Sequence, residues 1–185
     1  MSPWILLLAT CPMYAWHPNQ HGIVVDLNTS TLHVYRCHLA GLEPLYEAPV
    51  SYSKAEPSTQ NESFGTPLGW HRICRKIGDG YPVGAQFKYR KWTGWIIPQS
   101  MEDRGVVLTR ILQLVGLEWG KNLGIDPETQ VVCDSYQRTI YIHGTNRDAL
   151  VPQRITRGCL CLKTNDLLNV FNIVRPGDWV WIGRL

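Results

Sequence analysis

Two reactive side chains lie close together in the last quarter of the sequence. His143 follows the strand-like stretch 139–142, and fifteen residues separate it from Cys159, which comes directly after Gly158. A cysteine attacks a carbonyl only as the thiolate, and at an ordinary thiol pKa of about 8.5 few thiols are ionised at neutral pH. A nearby histidine is the usual base that takes the proton. The pair predicts covalent thiol catalysis, with Cys159 as nucleophile and His143 as base. The common alternative is that both are core residues.

A second thiol, Cys161, lies two residues beyond the first. If residues 159–162 form a strand, the side chains of Cys159 and Cys161 point to the same face. Their Cα atoms would then lie roughly 6.6 Å apart, at the long end of the range for disulfides. We therefore expect two free thiols. Cys161 is interpreted as a packed apolar residue, and a resolving or metal-binding thiol is the alternative.

The other four cysteines are widely and irregularly spaced. No C-x-x-C pair occurs in the sequence, which argues against a zinc ribbon. Unpaired cysteines usually behave as small buried apolar residues. We expect that role for this set, which comprises Cys11, Cys37, Cys74 and Cys133.

The elements that must position the reactive pair are mostly strands. Alternating and β-branched residues at 22–27 and 32–35, joined by a polar turn, predict a β-hairpin. After Thr164 and Asn165, which offer capping side chains, apolar residues at three- and four-residue spacings predict a helix that Pro176 and Gly177 end. The chain is therefore predicted to be mostly β, a sandwich- or barrel-like mixed sheet with one or two short helices. Further strands are expected at 48–51, 70–73, 130–133, 139–143 and 179–182. Residues 105–115 are interpreted as a long strand, with a short helix as the alternative. Residues 86–97 are interpreted as a strand or an exposed aromatic loop, and binding of single-stranded nucleic acid is the alternative.

Composition excludes several classes of protein. The chain has 185 residues, of which 44% are hydrophobic and 18% charged, with a net charge of +3. That hydrophobic content excludes a disordered chain, and the mild charge argues against a dedicated nucleic-acid binder. The apolar run 5–8 is too short to span a membrane. We expect an N-terminal segment at 1–20, either a first strand or a remnant leader, and a catalytic domain at 21–185.

Several ordered landmarks resemble the L,D-transpeptidase catalytic domain family of the YkuD type. The family pairs a histidine with a Ser/Thr-His-Gly-Cys motif fourteen to seventeen residues later, and Thr156, Gly158 and Cys159 match that motif. The residues that follow His143 match as well, and the turn 65–69 resembles the family's Thr-Pro-x-Gly turn. The resemblance extends from about residue 21 to the end of the chain and implies the family's mostly β domain.

The resemblance also implies an activity. The Cys159 thiolate would attack the third residue of a peptidoglycan tetrapeptide stem, and the terminal D-amino acid would leave. An acceptor amine would then resolve the thioester into an L,D cross-link or a related exchange product. Gly144 would orient the ring of His143, and Thr156 and Gly158 would belong to the oxyanion and orienting groups. No metal or organic cofactor is implied, the partners are peptidoglycan stem peptides rather than nucleic acid, and the oligomeric state is left open.

Two positions depart from the family pattern. Arg157 replaces the second histidine of the motif, and Cys161 replaces the usual arginine two residues after the nucleophile. Arginine stays protonated and cannot act as a base, although Arg157 can lower the pKa of Cys159. Either Arg154 or Arg157 is a candidate to bind the substrate carboxylate in place of the missing arginine. These departures motivate one alternative, a degenerate domain that binds wall peptides without turnover. A further alternative is an L,D-carboxypeptidase or amidase on the same fold.

The resemblance places the protein in the cell envelope, because the family works outside the cytoplasmic membrane. The first residues contain no Lys or Arg and only a short apolar run, so no convincing export signal is seen. A wrongly assigned start, a removed leader and unconventional export remain the three explanations.

Overall fold

Alternating and β-branched segments of this chain form strands of one mixed sheet. The computed structural model describes residues 20–38, 41–100 and 106–185, and the expectations for residues 1–19, Cys11 included, lie outside the described residues. Within the described residues the strands are β1 (His21–Asp26), β2 (Thr31–His38), β3 (Gly41–Pro49), β4 (Gly69–Ile77), β5 (Ala85–Lys88), β6 (Lys91–Ile96), β7 (Val107–Gly116), β8 (Tyr141–Gly144), β9 (Leu160–Leu162) and β10 (Trp179–Gly183). The same residues contain one α-helix, α1 (Thr164–Ile173), and a short 3₁₀ helix at Asp148–Leu150.

The strands follow the order β3-β2-β1-β10-β4-β7-β5-β6, and β8 and β9 branch from β7. Strand β1 runs parallel to β10, and β8 runs parallel to β9, whereas the other pairs are antiparallel. The prediction of a mostly β, mixed-sheet domain is confirmed, with one short α-helix in the described part of the chain. No helix among the described residues is long and apolar enough to cross a membrane.

The main core lies between the sheet and α1. The helix buries Leu167, Val170 and Phe171, which join apolar side chains of the central strands in one cluster. Each such side chain contributes about 1.5–3 kcal/mol through removal of apolar surface from water. At the helix end, the Nζ of Lys76 donates to the Val174 carbonyl at 2.8 Å. The helix is thereby fixed against the same part of the sheet that holds β8 and β9.

The helix begins differently from the prediction. Thr164 and Asn165 lie inside α1, and Lys163 occupies the N-cap position without a side-chain capping bond. The missing acceptor comes from Asp148, whose Oδ2 accepts the backbone N–H of Thr164 at 2.8 Å. A carboxylate at this end also interacts favourably with the helix dipole. The sequence-based prediction failed because the capping group lies sixteen residues before the helix.

Two smaller predictions are also corrected. Residues 130–133 form no strand, because Val132 makes only an isolated bridge to Ile125. Cys37 and Cys133 are buried as expected, but Cys74 is exposed. The pairing of β4 with β7 shifts register between Ile73 and Arg75. This bulge interrupts the alternation of the strand and turns the Cys74 side chain outward.

Candidate active site

His143 occupies the middle strand of three. Strand β8 lies between β7 and β9, and the register places His143 beside Ile111 on one side and Cys161 on the other. The side chain is 7% exposed. Gly144 permits this close packing, because a Cβ atom there would lie 2.9 Å from the Leu108 carbonyl oxygen. The imidazole is therefore held rigidly at the end of a buried strand.

The hydrogen bonds of the ring define its protonation. Nδ1 lies 2.8 Å from the Gly144 carbonyl oxygen, and since a carbonyl only accepts, Nδ1 carries the hydrogen. Burial lowers the pKa of His143, and the bond to Gly144 opposes this shift in part. The ring is consequently neutral at pH 7, with its lone pair on Nε2. That tautomer suits a general base.

Cys159 lies at the turn just before β9 and is partly exposed. Its Sγ donates to the Thr139 carbonyl oxygen at 3.5 Å, and it packs against the cluster of Ala85, Phe87, Ile111 and Tyr141. Desolvation raises the pKa of the Cys159 thiol to about 11, whereas the backbone N–H of Tyr141 and the charge of Arg138 lower it. Cys159 is therefore a protonated thiol at rest.

The turn before Cys159 is held by Thr156. Its Oγ1 donates to the Cys159 carbonyl oxygen at 2.7 Å and accepts the N–H of Gly158 at 3.3 Å. Gly158 has φ +117°, where other residues are strained, and a Cβ there would lie 3.2 Å from the Gly65 carbonyl oxygen. These contacts orient the turn. The oxyanion role of the Gly158 amide stays a prediction, and that amide already has an acceptor.

One cavity of about 630 Å³ gathers the reactive groups. Its size lies in the range typical of small-ligand sites. Three cationic residues contribute to its wall, and no acidic residue does so among the described residues that line it. The lining consists of Lys54, Val107, His143, Thr145, Arg147, Ile155, Thr156, Arg157, Cys159 and Cys161.

The sequence comparison agrees with this arrangement. The family model of the L,D-transpeptidase catalytic domain, YkuD, matches residues 20–182. This chain belongs to the L,D-transpeptidase catalytic domain family. No curated protein sequence matches it.

Solved structures share the fold of this L,D-transpeptidase domain at low sequence identity. The helical cell shape determining protein Pgp2 from Campylobacter jejuni (K307A mutant) aligns with a TM-score of 0.57 and 15% identity, covering 91% of this chain and 48% of that one. Bd1075 of Bdellovibrio bacteriovorus aligns with a TM-score of 0.56 and 14% identity, covering 89% of this chain and 48% of that one. The L,D-transpeptidase LdtMt1 in complex with imipenem aligns with a TM-score of 0.51 and 18% identity, covering 89% of this chain and 59% of that one. The chain thus spans about half to three fifths of the length of these proteins.

The two arginines predicted to bind substrate in this transpeptidase domain differ in position. Arg157 is exposed, lines the cavity, and stacks over the Phe64 ring at 5.6 Å. Arg154 is not among the lining residues. Its Nη2 donates to the Ala55 carbonyl oxygen at 2.7 Å, and its guanidinium forms an ion pair with Glu56. The substrate-binding roles of both remain predictions, and of the two arginines Arg157 lines the cavity that contains Cys159.

Three features of the candidate site were missed by sequence reasoning. Lys54 and Arg147 add positive charge to the cavity wall, although one lies in a polar loop and the other beyond the matched motif. Arg138 donates to the Gly65 carbonyl oxygen at 2.7 Å, so it ties the 65–69 turn to the region of Cys159. No spacing in the sequence indicates any of these contacts, because each is made by chain segments distant in sequence.

Sequence reasoning also did not predict the contact between Cys161 and His143. The Sγ of Cys161 lies 3.5 Å from His143 Nε2 and 3.8 Å from Nδ1, and Cys161 is 4% exposed. Desolvation raises its thiol pKa well above the usual value. It is buried, as expected, and its sulfur packs against the imidazole at similar distances from both ring nitrogens. Among the described residues, no group of three or more His, Cys, Asp or Glu is arranged to hold a metal ion.

Proposed function

We propose that this chain is a cysteine-dependent acyltransferase, an L,D-transpeptidase that acts on peptidoglycan stem peptides. The observation that carries the proposal is that Cys159 and the neutral imidazole of His143 line the same cavity. A thiol, a neutral base and a space for a peptide are the requirements of covalent acyl transfer. Membership in the family supplies the substrate class.

The proposed reaction has two halves. His143 Nε2 takes the Cys159 proton, and the thiolate attacks the carbonyl carbon of the third stem residue. The C–N bond to the terminal D-amino acid breaks, its amine leaves with the proton from His143, and a thioester remains. An acceptor amine then attacks the thioester, the C–S bond breaks, and the Cys159 thiolate is restored and reprotonated. The backbone amides beside Cys159 are proposed to stabilise the oxyanion.

Charge in the cavity supports an anionic substrate. Lys54, Arg147 and Arg157 all line it, and the Nε of Arg147 is buried without a hydrogen-bond partner among the described residues. A buried unpaired donor is costly, and a carboxylate of a stem peptide would satisfy it. Position 161 lacks the arginine that is usual in the family. We propose that these three cationic side chains bind the substrate carboxylate in its place.

Covalent trapping tests the proposal. The protein is incubated with a carbapenem, which acylates a reactive thiol, and its intact mass is measured. We expect one adduct per chain, lost in Cys159→Ala. Cys74→Ala is the matched control, because Cys74 is an exposed thiol on β4, and it should retain the adduct. Absence of any adduct, or an adduct that persists in Cys159→Ala, would refute the assignment of the nucleophile.

A binding domain without turnover is the second candidate. It is favoured by one observation, namely that the closest thiol contact of His143 Nε2 that the described residues provide is Cys161 rather than Cys159. Such a domain would bind muropeptides yet form no carbapenem adduct. Where an adduct does form, the products from muropeptides separate transpeptidation from the carboxypeptidase or amidase alternative. Exchange or cross-linked products support the transpeptidase, and shortened stems support hydrolysis.

The place of action follows from the proposed substrate. Peptidoglycan lies outside the cytoplasmic membrane, so we propose a cell-envelope location, which fractionation of the native protein tests. A contribution to cell shape, the role named for Pgp2 of Campylobacter jejuni, would be a consequence of acyl transfer in the wall.

A further inference from the structure

The guanidinium of Arg138 is half-buried against the loop that precedes the 65–69 turn. Its Nη1 donates to the carbonyl oxygen of Ser58 at 3.0 Å and to that of Thr59 at 2.7 Å. Its Nη2 donates to the Gly65 carbonyl oxygen at 2.7 Å. The side chain is therefore held at three points, and each of these three acceptors is an uncharged carbonyl group.

The positive charge of Arg138 has no carboxylate partner in the part of the chain that the structure describes. None of the ion pairs found there includes Arg138. Asp134 is the acidic residue nearest to it in sequence, and its carboxylate accepts the backbone N–H groups of Gly124, Tyr136 and Gln137. A half-buried cation without a counter-ion favours the ionised form of a nearby acid.

The Cys159 thiol adjoins this guanidinium. A Cβ atom at Gly158, the residue before Cys159, would lie 3.7 Å from Arg138 Nη2. On the other side, Cys159 Sγ donates to the carbonyl oxygen of Thr139, the residue after Arg138, at 3.5 Å. Arg138 and Cys159 thus each lie against a chain neighbour of the other. In agreement with this placement, the charge of Arg138 lowers the pKa of Cys159 against the larger effect of desolvation.

The other charged and titratable groups near Cys159 have different environments. Arg157, which the sequence suggested as the cation beside the thiol, is exposed and stacks over the Phe64 ring at 5.6 Å. Among the described residues, Arg138 is the cation whose charge acts on the Cys159 thiol. The remaining groups of the cavity wall and of β8 are two cations and three groups that burial keeps neutral, namely Lys54, Arg147, Tyr141, His143 and Cys161.

We propose that Arg138 is a positioning residue of this site, whose guanidinium fixes the 58–65 loop against the turn at Gly158 and stabilises the negative charge of the Cys159 thiolate. This role rests on the proposed function only where the thiolate attacks a substrate carbonyl. The thiol proton still goes to His143, and Arg138 lowers the free energy of the sulfur anion that remains. Arginine suits the role because it stays protonated and its planar fork binds several carbonyl groups at once.

Alkylation of Cys159 by iodoacetamide measures the thiolate without any acyl transfer. The wild type, Arg138→Lys and Arg138→Gln are compared at pH 8 in a Cys74→Ala background, because Cys74 is an exposed thiol, and the modified peptide is quantified by mass spectrometry. In Arg138→Gln, loss of the neighbouring cation should lower the thiolate fraction about ten- to hundredfold. A thiolate of higher pKa is also more nucleophilic, so the rate should fall about three- to tenfold. Arg138→Lys retains the charge and should stay close to the wild type.

Arg110→Gln is the matched control. Arg110 is also half-buried, and its guanidinium donates to the carbonyl oxygens of Tyr81 and Thr109, so its replacement should lower the urea midpoint of unfolding and leave alkylation unchanged. Both Arg138 variants should lower that midpoint as well, because each loses bonds to carbonyl groups. Alkylation of Arg138→Gln at the wild-type rate would overturn the proposal. Equal slowing in Arg138→Lys would overturn it too, since the charge would then not be the cause.

An isosteric neutral side chain covers the case in which Arg138→Gln fails to fold. Synthetic residues 133–185, which begin with Cys133, are ligated to a recombinant thioester of residues 1–132, with either arginine or citrulline at position 138. Citrulline keeps N–H donors for the carbonyl groups and lacks the charge. The full-length Arg138→citrulline chain should therefore be alkylated about three- to tenfold more slowly than the ligated arginine chain. Equal rates in the two ligated chains would overturn the proposal.

Carbapenem acylation separates this inference from the proposed function. If the wild type forms the adduct and Arg138→Gln is alkylated as fast as the wild type, the inference fails and the transpeptidase proposal stands. If the wild type forms no adduct while Arg138→Gln still slows alkylation, the acyltransferase function fails and the electrostatic role of Arg138 stands. If both are correct, acylation of Arg138→Gln should also fall about three- to tenfold.

Discussion

At the scale of single residues, the site combines an acid and a base that are both uncharged. A Cys159 pKa of about 11 leaves about one thiolate per ten thousand molecules at pH 7. The lowered pKa of His143 keeps the imidazole neutral at the same pH. The reactive species is therefore formed during the reaction rather than stored as a thiolate–imidazolium pair. Under the proposed function, most of the rate depends on transfer of the thiol proton to His143.

Replacement of His143 by alanine should lower acylation by about 10²- to 10⁴-fold at pH 7, the usual value of general-base assistance. The remaining rate should rise about tenfold per pH unit from pH 8 to pH 10, because hydroxide then ionises Cys159 below its pKa of about 11. Stopped-flow acylation by a carbapenem measures both effects. His71→Gln serves as the control, since His71 is buried on β4 and is not one of the residues that line the cavity. A His143→Ala rate close to wild type at pH 7 would remove this residue from the base role.

At the scale of elements, short segments determine where these residues meet. The turn before β9 needs a glycine with positive φ at Gly158, and β8 needs Gly144 to approach β7. The helix α1 needs Asp148 as its distant cap. Each element is short, so its geometry depends on contacts with neighbouring segments more than on its own propensity.

Gly158→Ala should impair both the turn and acylation. Its φ of +117° strains any side chain, and the new Cβ would lie 3.1 Å from Ile140 Cδ1 and 3.2 Å from the Gly65 carbonyl oxygen. Gly177→Ala is the matched control: its φ is +99°, but no atom lies within 4 Å of the new Cβ. Both should lose about 1–3 kcal/mol of unfolding free energy in urea, and only Gly158→Ala should lose most of its carbapenem acylation. Equal acylation in the two variants would show that the turn tolerates displacement.

Asp148→Ala should destabilise the protein by about 1 kcal/mol, the typical effect of losing a helix N-cap. Asp148→Asn should cost less, because its amide oxygen can still accept the Thr164 N–H. Urea unfolding followed by far-ultraviolet circular dichroism measures the difference. Glu128→Ala, a change at an exposed loop carboxylate, should stay within about 0.5 kcal/mol of the wild type. An Asp148→Ala protein as stable as the control would indicate that the cap contributes nothing.

Local sequence pattern predicted many of the individual strands and the helix, but not how distant strands pair. Alternation predicted the β1–β2 hairpin, and apolar spacing predicted α1, because both signals lie within a few residues. The parallel pairs β1–β10 and β8–β9 join distant segments, and no local pattern encodes their register. For the same reason the residue types indicated Cys159 and His143, whereas the contact between Cys161 and His143 appeared only in three dimensions. The bulge at Cys74 likewise depends on the partner strand β7.

At the scale of the whole molecule, stability is linked to pH through histidines buried in the neutral state. His71 is 0% exposed, with Nδ1 3.0 Å from the Gly69 carbonyl oxygen and Nε2 3.0 Å from Ser135 Oγ. Burial is the main cause that lowers the pKa of His71 to about 4, and it also lowers that of His143. The unfolded chain protonates its histidines near pH 6.5. Because the unfolded state then binds more protons, acid favours unfolding.

The free energy of unfolding should therefore be fully maintained above about pH 6.5 and fall as the pH decreases toward 4. Between pH 6.5 and pH 5, His71 alone should remove about 1.5 kcal/mol, and His143 adds to this in the same direction. Carboxylates with ordinary pKa values near 4 contribute mainly below this window. Urea unfolding at half-unit pH steps measures the slope, and His71→Gln should flatten it. The variant's stability at pH 8, where the unfolded histidine is also neutral, isolates the lost packing from the lost titration. An unchanged slope in His71→Gln would mean that His71 does not carry the acid sensitivity of the fold.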